Sequence, residues 1–234
     1  CKRVFGSGGK VFLIVPCKFT EPREVLSKSY EVASAIAATE PFASSGDAFA
    51  IDVLDDYSLN FDDKCTAHIN EIRQVASQCA SDNIIIMSNA IEAESLPAEK
   101  ITVIPAAELP DFGITRDESY SDIKSGALKL FAKTIGLAAT CYYGQEKETT
   151  DTIANCGRTQ ASQDEPCQEW SDPAFAGWVF NGDPEFGCYQ GCAGFRNLYR
   201  AWNTNKNIMC TDPYLENGFT PVERKIISDI LRGP

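Results

Sequence analysis

Ten cysteines and a single histidine in 234 residues constrain this chain more than any other feature. The cysteines are Cys1, Cys17, Cys65, Cys79, Cys141, Cys156, Cys167, Cys188, Cys192 and Cys210. A structural zinc site draws on closely spaced Cys and His ligands. Here no C-x-x-C occurs, and His68 is the only imidazole. An even cysteine count without such spacing favours disulfides, which persist in oxidising compartments. The expectation is an exported protein, secreted or held at the cell surface. No signal peptide is recognisable, so the sequence reads as a mature form. Its start on Cys1 has two readings, a lipid-modified N-terminus or a plain cleavage boundary. No apolar run approaches the roughly 20 residues that span a bilayer.

Charge narrows the partners. A formal net charge of −12 argues against nucleic acid and anionic membrane surfaces, and leaves cations or basic protein surfaces open. Hydrophobic content of 44% and charged content of 23% are those of an ordinary globular protein, long enough for one large domain or two subdomains.

The first part of the chain alternates strand and helix patterns. Residues 1–9 are polar and rich in Gly and Ser, a flexible leader unless Cys1 is bridged. Val11-Phe-Leu-Ile-Val15 is a continuous apolar run, as in a strand covered on both faces. Thr20 offers an N-cap ahead of Pro22, and Val25, Leu26, Ser29, Tyr30, Val32, Ala33 and Ile36 recur at helical spacing. Phe49, Ile51 and Val53 alternate with Ala50 and Asp52, a strand with one apolar face. A second helix is expected from about residue 66 to 80, burying Ile69, Ile72, Val75 and Ala76. Cys65 and Cys79 would lie roughly 21 Å apart on one helix and could pair only across a bend. Ile84-Ile-Ile-Met87 and Ile101-Thr-Val-Ile104 are two more strands, and a third helix follows at about 120–139. This order predicts an α/β fold with a mostly parallel sheet over residues 10–140.

Residues 141–234 read differently. Six cysteines, many Gly, Asn, Asp and Pro, and little periodicity predict a disulfide-rich, mostly irregular subdomain. The expected pairs are Cys156 with Cys167, and Cys188 with Cys192 or with neighbours. Phe219-Thr-Pro-Val-Glu223 opens a final helix. Thr220 and Glu223 form a capping box around Pro221, and Val222, Ile226, Ile227 and Ile230 supply the buried face.

Lys129-Leu-Phe-Ala-Lys-Thr-Ile-Gly-Leu-Ala-Ala-Thr-Cys-Tyr142 resembles, in its spacing, the active-site helix of IgA-peptidase-type metzincin metallopeptidases, H-E-x-G-H-S-x-x-G-L-x-D-E-Y. Phe131, Gly136, Ala139 and Tyr142 fit that pattern. The resemblance extends to Thr39-Glu-Pro-Phe42, Asn155-Cys156, Cys167-x-x-Trp170, Gly187-Cys-Tyr-Gln-Gly-Cys192, Tyr199-Arg200 and Asn207-Ile-Met209, in family order over about residues 10–232. It implies a metzincin-like mixed sheet with long helices, and a Met-turn residue at Met209. The residues that do the family's chemistry are replaced. Its two metal histidines fall on Lys129 and Lys133, its general-base glutamate on Leu130, and its third ligand on Thr140 (or, at the commoner spacing, Ala139). An ammonium has no lone pair to give a metal, and Leu130 cannot activate a water. The resemblance therefore implies a peptidase-like fold without peptidase chemistry, and no zinc.

Other chemistries find little support. No G-x-S-x-G elbow surrounds a serine, and Gly6-Ser-Gly-Gly-Lys10 precedes a strand where a phosphate loop would join strand to helix. Asp52, Asp55, Asp56, Asp62 and Asp63 could offer oxygens to calcium, but lack EF-hand spacing and read as a solvated loop. Trp170, Trp178, Phe180, Phe186, Tyr189, Phe195, Tyr199 and Trp202 read as a small core under the disulfides, with a ligand groove as the rival. Lys129 and Lys133 read either as a solvated stripe or as groups projecting into the former cleft. The function expected is a catalytically inactive binding or assembly component, with a protein partner or self-association. The alternatives are a hydrolase using carboxylates in the same cleft, and an extracellular self-associating subunit.

Overall fold

A computed structural model describes residues 1–56, 58–90, 92–106, 123–137, 148, 150, 152–158, 167–171, 186–202, 209 and 218–233. The chain divides into two compact units, residues 1–135 with 231–233, and residues 136–230.

The first unit is built on the apolar run at Val11. It becomes the centre of β2 (Lys10–Cys17), paired in parallel with β3 (Phe49–Val53) on one side and β4 (Asn83–Ser88) on the other. Ile14 thus lies opposite both Val53 and Ile85. β6 (Ile101–Pro105) continues the parallel set beyond β4. Two antiparallel strands close the six-stranded sheet, β1 (Lys2–Gly6) beside β3 and β5 (Glu94–Leu96) beside β6. The sheet is mixed, as expected, with a parallel centre.

Both faces of β2 are covered because neighbouring side chains point opposite ways. Phe12 meets Phe131 of α3 (Ile123–Thr134) edge-on at 4.6 Å between ring centroids, and Phe49 at 5.5 Å. Phe42 completes that layer at 5.7 Å from Phe131. Full burial of each ring contributes about 2–3 kcal/mol. On the other face, Leu13, Val15 and Cys17 pack with Ile72 and Ala76 of α2 (Ile69–Ala76). α1 (Pro22–Ala38) starts with Pro22 in its first turn, but Glu21 is the cap and no side chain bonds there, so Thr20 does not play that part.

Several expectations for this unit are corrected. Residues 2–6 are no flexible leader, because Cys1 is bridged to Cys79 with Cα atoms 5.8 Å apart. The glycines serve close approach: a Cβ on Gly6 would collide with the Phe49 carbonyl, and one on Gly8 with the Ala48 backbone. With β1 beside it, β3 buries Phe49, Ala50, Ile51 and Val53, on both faces rather than one. The second helix opens as a 3-10 turn over Cys65–His68 and is α-helical only from Ile69 to Ala76. Cys65 pairs with Cys17, so the two cysteines at the ends of that segment never needed to meet.

In the second unit, β7 (Phe186–Cys192) and β8 (Phe195–Trp202) form an antiparallel hairpin where irregular chain was expected. Its two-residue turn has Ala193 at φ 54° and Gly194 at φ 76°. The disulfides are Cys156–Cys192 and Cys167–Cys188, not the expected Cys156–Cys167 and Cys188–Cys192. Sequence neighbours lose to the hairpin, which carries Cys188 and Cys192 toward two different segments. Cys141 and Cys210 lie outside the described residues, and no described cysteine is free. α4 (Pro221–Arg232) starts with the expected capping box: the Thr220 N–H donates to Glu223 Oε2 at 2.8 Å, and the Glu223 N–H to Thr220 Oγ1 at 3.4 Å. Val222, Ile227 and Leu231 are its buried apolar residues, while Ile226 and Ile230 are half-buried.

Candidate functional site

α3 carries the residues that the sequence singles out. It is apolar around most of its circumference, which suits a helix covered on several sides, and it lies against α1, β5 and β6. Its polar anchor is Thr134. That hydroxyl donates to the Leu130 carbonyl one turn back at 3.0 Å and meets the Ser95 hydroxyl at 2.9 Å and that of Thr102. The helix is thereby tied to β5 and β6.

Lys129 is 4% exposed and Leu130 3%, whereas Lys133 is half-buried. The solvated-stripe reading is thus corrected for Lys129: it faces the interior because α3 leaves little of its surface to water. Met209 is fully buried in the second unit, and Thr140 lies outside the described residues.

Zinc, which the resemblance implies for the family, does not fit these residues. Two ammonium groups repel a dication and offer it no lone pair, and the neighbour that should be a carboxylate is an alkyl chain. Among the described residues, no three His, Cys, Asp or Glu side chains gather in a metal-holding group.

His68, the one imidazole, stands elsewhere, at the start of α2. Nε2 lies 2.5 Å from Asp63 Oδ1 and Nδ1 3.5 Å from Glu71 Oε1, and the ring stacks on Phe61 at 3.9 Å. The hydrogen bond that the imidazole donates to Asp63, then the charge of Asp63 and Glu71, hold the imidazole above its ordinary value, against partial desolvation; the same bond holds Asp63 below its own. This is a surface clasp on the acidic loop. Two other acids of that set have partners of their own: Asp52 pairs with Arg3, and Asp56 accepts the Ser58 N–H at 2.9 Å, which lowers its pKa. They do not converge on one oxygen-lined point.

The sheet has its own candidate place. β3 and β4 flank β2 on opposite sides, so the strand order reverses there, and α/β sheets bind ligands outside the carboxyl ends at such a point. In this chain that place is filled from within. Glu92, 7% exposed, accepts the N–H of Cys65 at 2.9 Å, the N–H and hydroxyl of Thr66 at 3.2 Å, and the hydroxyl of Ser88. Ser88, at the end of β4, is also 3.2 Å from the Cys65 sulfur of the Cys17–Cys65 bridge. Lys18, just past β2 at φ 66°, ties down the loop above with its N–H on Leu59 O at 2.8 Å and its ammonium on Asp63 O at 2.9 Å. Glu92 thus ties the turn at Cys65 and Thr66 to Ser88 at the end of β4. Nothing in the local sequence announces Glu92, one acid among 33.

In the second unit, Trp170 packs with Cys167–Cys188, Ala201, Val222, Tyr199 and Ile226, and Phe195 with Cys156–Cys192 and Leu198. These aromatics are core. The side chains of Trp178, Phe180, Phe186 and Trp202 lie outside the description, and Tyr189 is half-buried. No protein-family model and no curated protein matches this chain.

Proposed function

We propose that this chain is a catalytically inactive, exported protein of metallopeptidase-like build that acts by binding or as an assembly component. The observation that carries the reading is α3: where the resembled pattern has His, Glu and His, this helix has Lys129, Leu130 and Lys133, two of them almost wholly buried. A buried ammonium left unpaired costs several kcal/mol, so Lys129 belongs to the fold and not to a substrate site. The element order supports the build, since β2, α1, β3, α2, β4, β6 and α3 follow the strand and helix order of the resembled subdomain. Export is supported by the four disulfides among the described residues. Among the described residues no helix is long and apolar enough to cross a membrane.

Zinc titration followed by elemental analysis, with a peptide-library cleavage assay alongside, tests the proposal. The expected outcome is less than one-tenth equivalent of bound zinc and no cleavage above a heat-denatured control. One equivalent of zinc lost on Lys133→Ala, or metal-dependent cleavage, overturns it.

A further inference from the structure

The capping box of α4 is made of unusual material. Glu223 is 1% exposed, yet a capping glutamate normally sits at the surface where water completes its bonds. Its Oε2 takes the Thr220 N–H, and the side chains of Thr220 and Asn155 also hydrogen-bond the carboxylate, but among the described residues no partner reaches Oε1. The residues on either side bury the helix start further: Val222 enters the cluster of Trp170, Ala201 and the Cys167–Cys188 bridge. An ionised carboxylate with one bare oxygen in such a place is strongly disfavoured, and the neutral acid is not.

We propose that Glu223 is a proton-operated latch on α4, closed when the side chain is the neutral acid and loosened when it ionises. Protonated, the carboxyl still accepts the Thr220 N–H through one oxygen and leaves no buried charge. Ionised, it places a full charge beside the cluster that holds α4. The charged groups around it do not cancel that cost. Burial pushes the carboxyl up to about 7, outweighing the hydrogen bonds from Thr220 and the Asn155 side chain and the charge of Arg224 on its own helix, all of which favour the ionised form. On the elements packed against α4, Glu169 accepts the Arg158 N–H at 2.6 Å, and Arg200 donates to the carbonyls of Gln190 and Gly191 at 2.7 and 2.9 Å. Tyr199 supplies packing.

The sign follows from linkage. The ordinary value is 4.5 and the folded value about 7, so between them the folded state holds the proton and the unfolded state does not. The latch contributes its full stability below pH 4.5, loses it as pH rises toward 7, and contributes nothing further above. Chemical denaturation of the wild type and of Glu223→Gln from pH 4.5 to 8.5 reads this directly. Glutamine keeps an acceptor for Thr220 but cannot ionise. The unfolding constant of the wild type, relative to that of the variant, should rise on the order of 10²-fold across the window. A ratio that stays constant with pH overturns the proposal. Carbon-13 NMR of the Glu223 carboxyl needs no variant: a midpoint between about 6 and 8 supports the latch, and one below about 5.5 sinks it.

Discussion

The two units solve the same problem with different materials. In the sheet unit, one cluster of twelve buried residues contains three half-cystines, and the rest are aliphatic side chains from β2, β4, β6, α2 and the loop after β3. In the hairpin unit, half of the eight buried residues in two clusters of the described residues are half-cystines. Among the described residues, the disulfides of the first unit therefore adjoin a larger apolar cluster, and those of the second make up half of theirs. Loop length points the other way. Among the described residues, the bridges of the sheet unit span 78 and 48 residues and those of the hairpin unit 36 and 21, and on chain entropy alone the longer loops should matter more. The contrast teaches that a bridge is worth what remains when it is gone.

Removing bridges gives the largest effect and breaks the comparison most directly. Serine at Cys156, Cys192, Cys167 and Cys188 should cost about 3–4 kcal/mol per bridge and unfold the hairpin. Amide exchange should then show β7 and β8 unprotected while β2 and β4 keep their protection. Serine at Cys1 and Cys79 should instead loosen β1 and leave the parallel strands intact. A hairpin that stays protected without its bridges would show that the two units are alike after all.

A smaller effect sharpens the account of the sheet unit. If Lys129 is an interior component, Lys129→Gln should lower stability by about 1–3 kcal/mol in urea unfolding, as disturbing a buried polar side chain does. Lys133→Gln, on a half-buried side chain, should change it by less than about 0.5 kcal/mol. Equal effects at the two positions would return Lys129 to the solvent-facing reading.

The smallest effect lies in the turn between β7 and β8. Both of its residues have left-handed backbone, which alanine adopts at a cost of about 1 kcal/mol. Ala193→Asn should raise the stability of the second unit by about 0.5–1 kcal/mol, measured by thermal unfolding with the bridges intact. A loss of stability there would mean that the bridge at Cys192, and not the turn, sets the hairpin geometry.

How much of this was legible in the sequence follows from how local each cause is. The run from Val11 to Val15 specifies a doubly covered strand by itself, and the pairing of Thr220 with Glu223 needs only three residues of spacing. β1 was hidden because glycine looks like looseness in a sequence, and only the opposing backbone of Ala48 and Phe49 reveals its use. The hairpin was hidden because four of the seven residues of β7 are Gly187, Cys188, Gly191 and Cys192, which make no apolar alternation. Disulfide partners depend on which segments fold together, so Cys156 with Cys192 has no signature within reach of either residue. At the candidate site, residue types already argued against the zinc that the resemblance implies, but the burial of Lys129 depends on what α1, β5 and β6 place over α3.

The flanking strands of the sheet have a consequence for crowding. A parallel sheet that ended at β3 or β6 would present a straight row of unpaired amides and carbonyls to every passing chain. Here one border is five residues long, carries Lys2 and Arg3, and is broken by a bulge between Arg3 and Phe5; the other is three residues long and starts on Glu94. Strands that short, charged and irregular are poor templates for lateral growth. Molecules of this protein brought to high concentration can therefore meet through their faces without zipping into fibres along their rims.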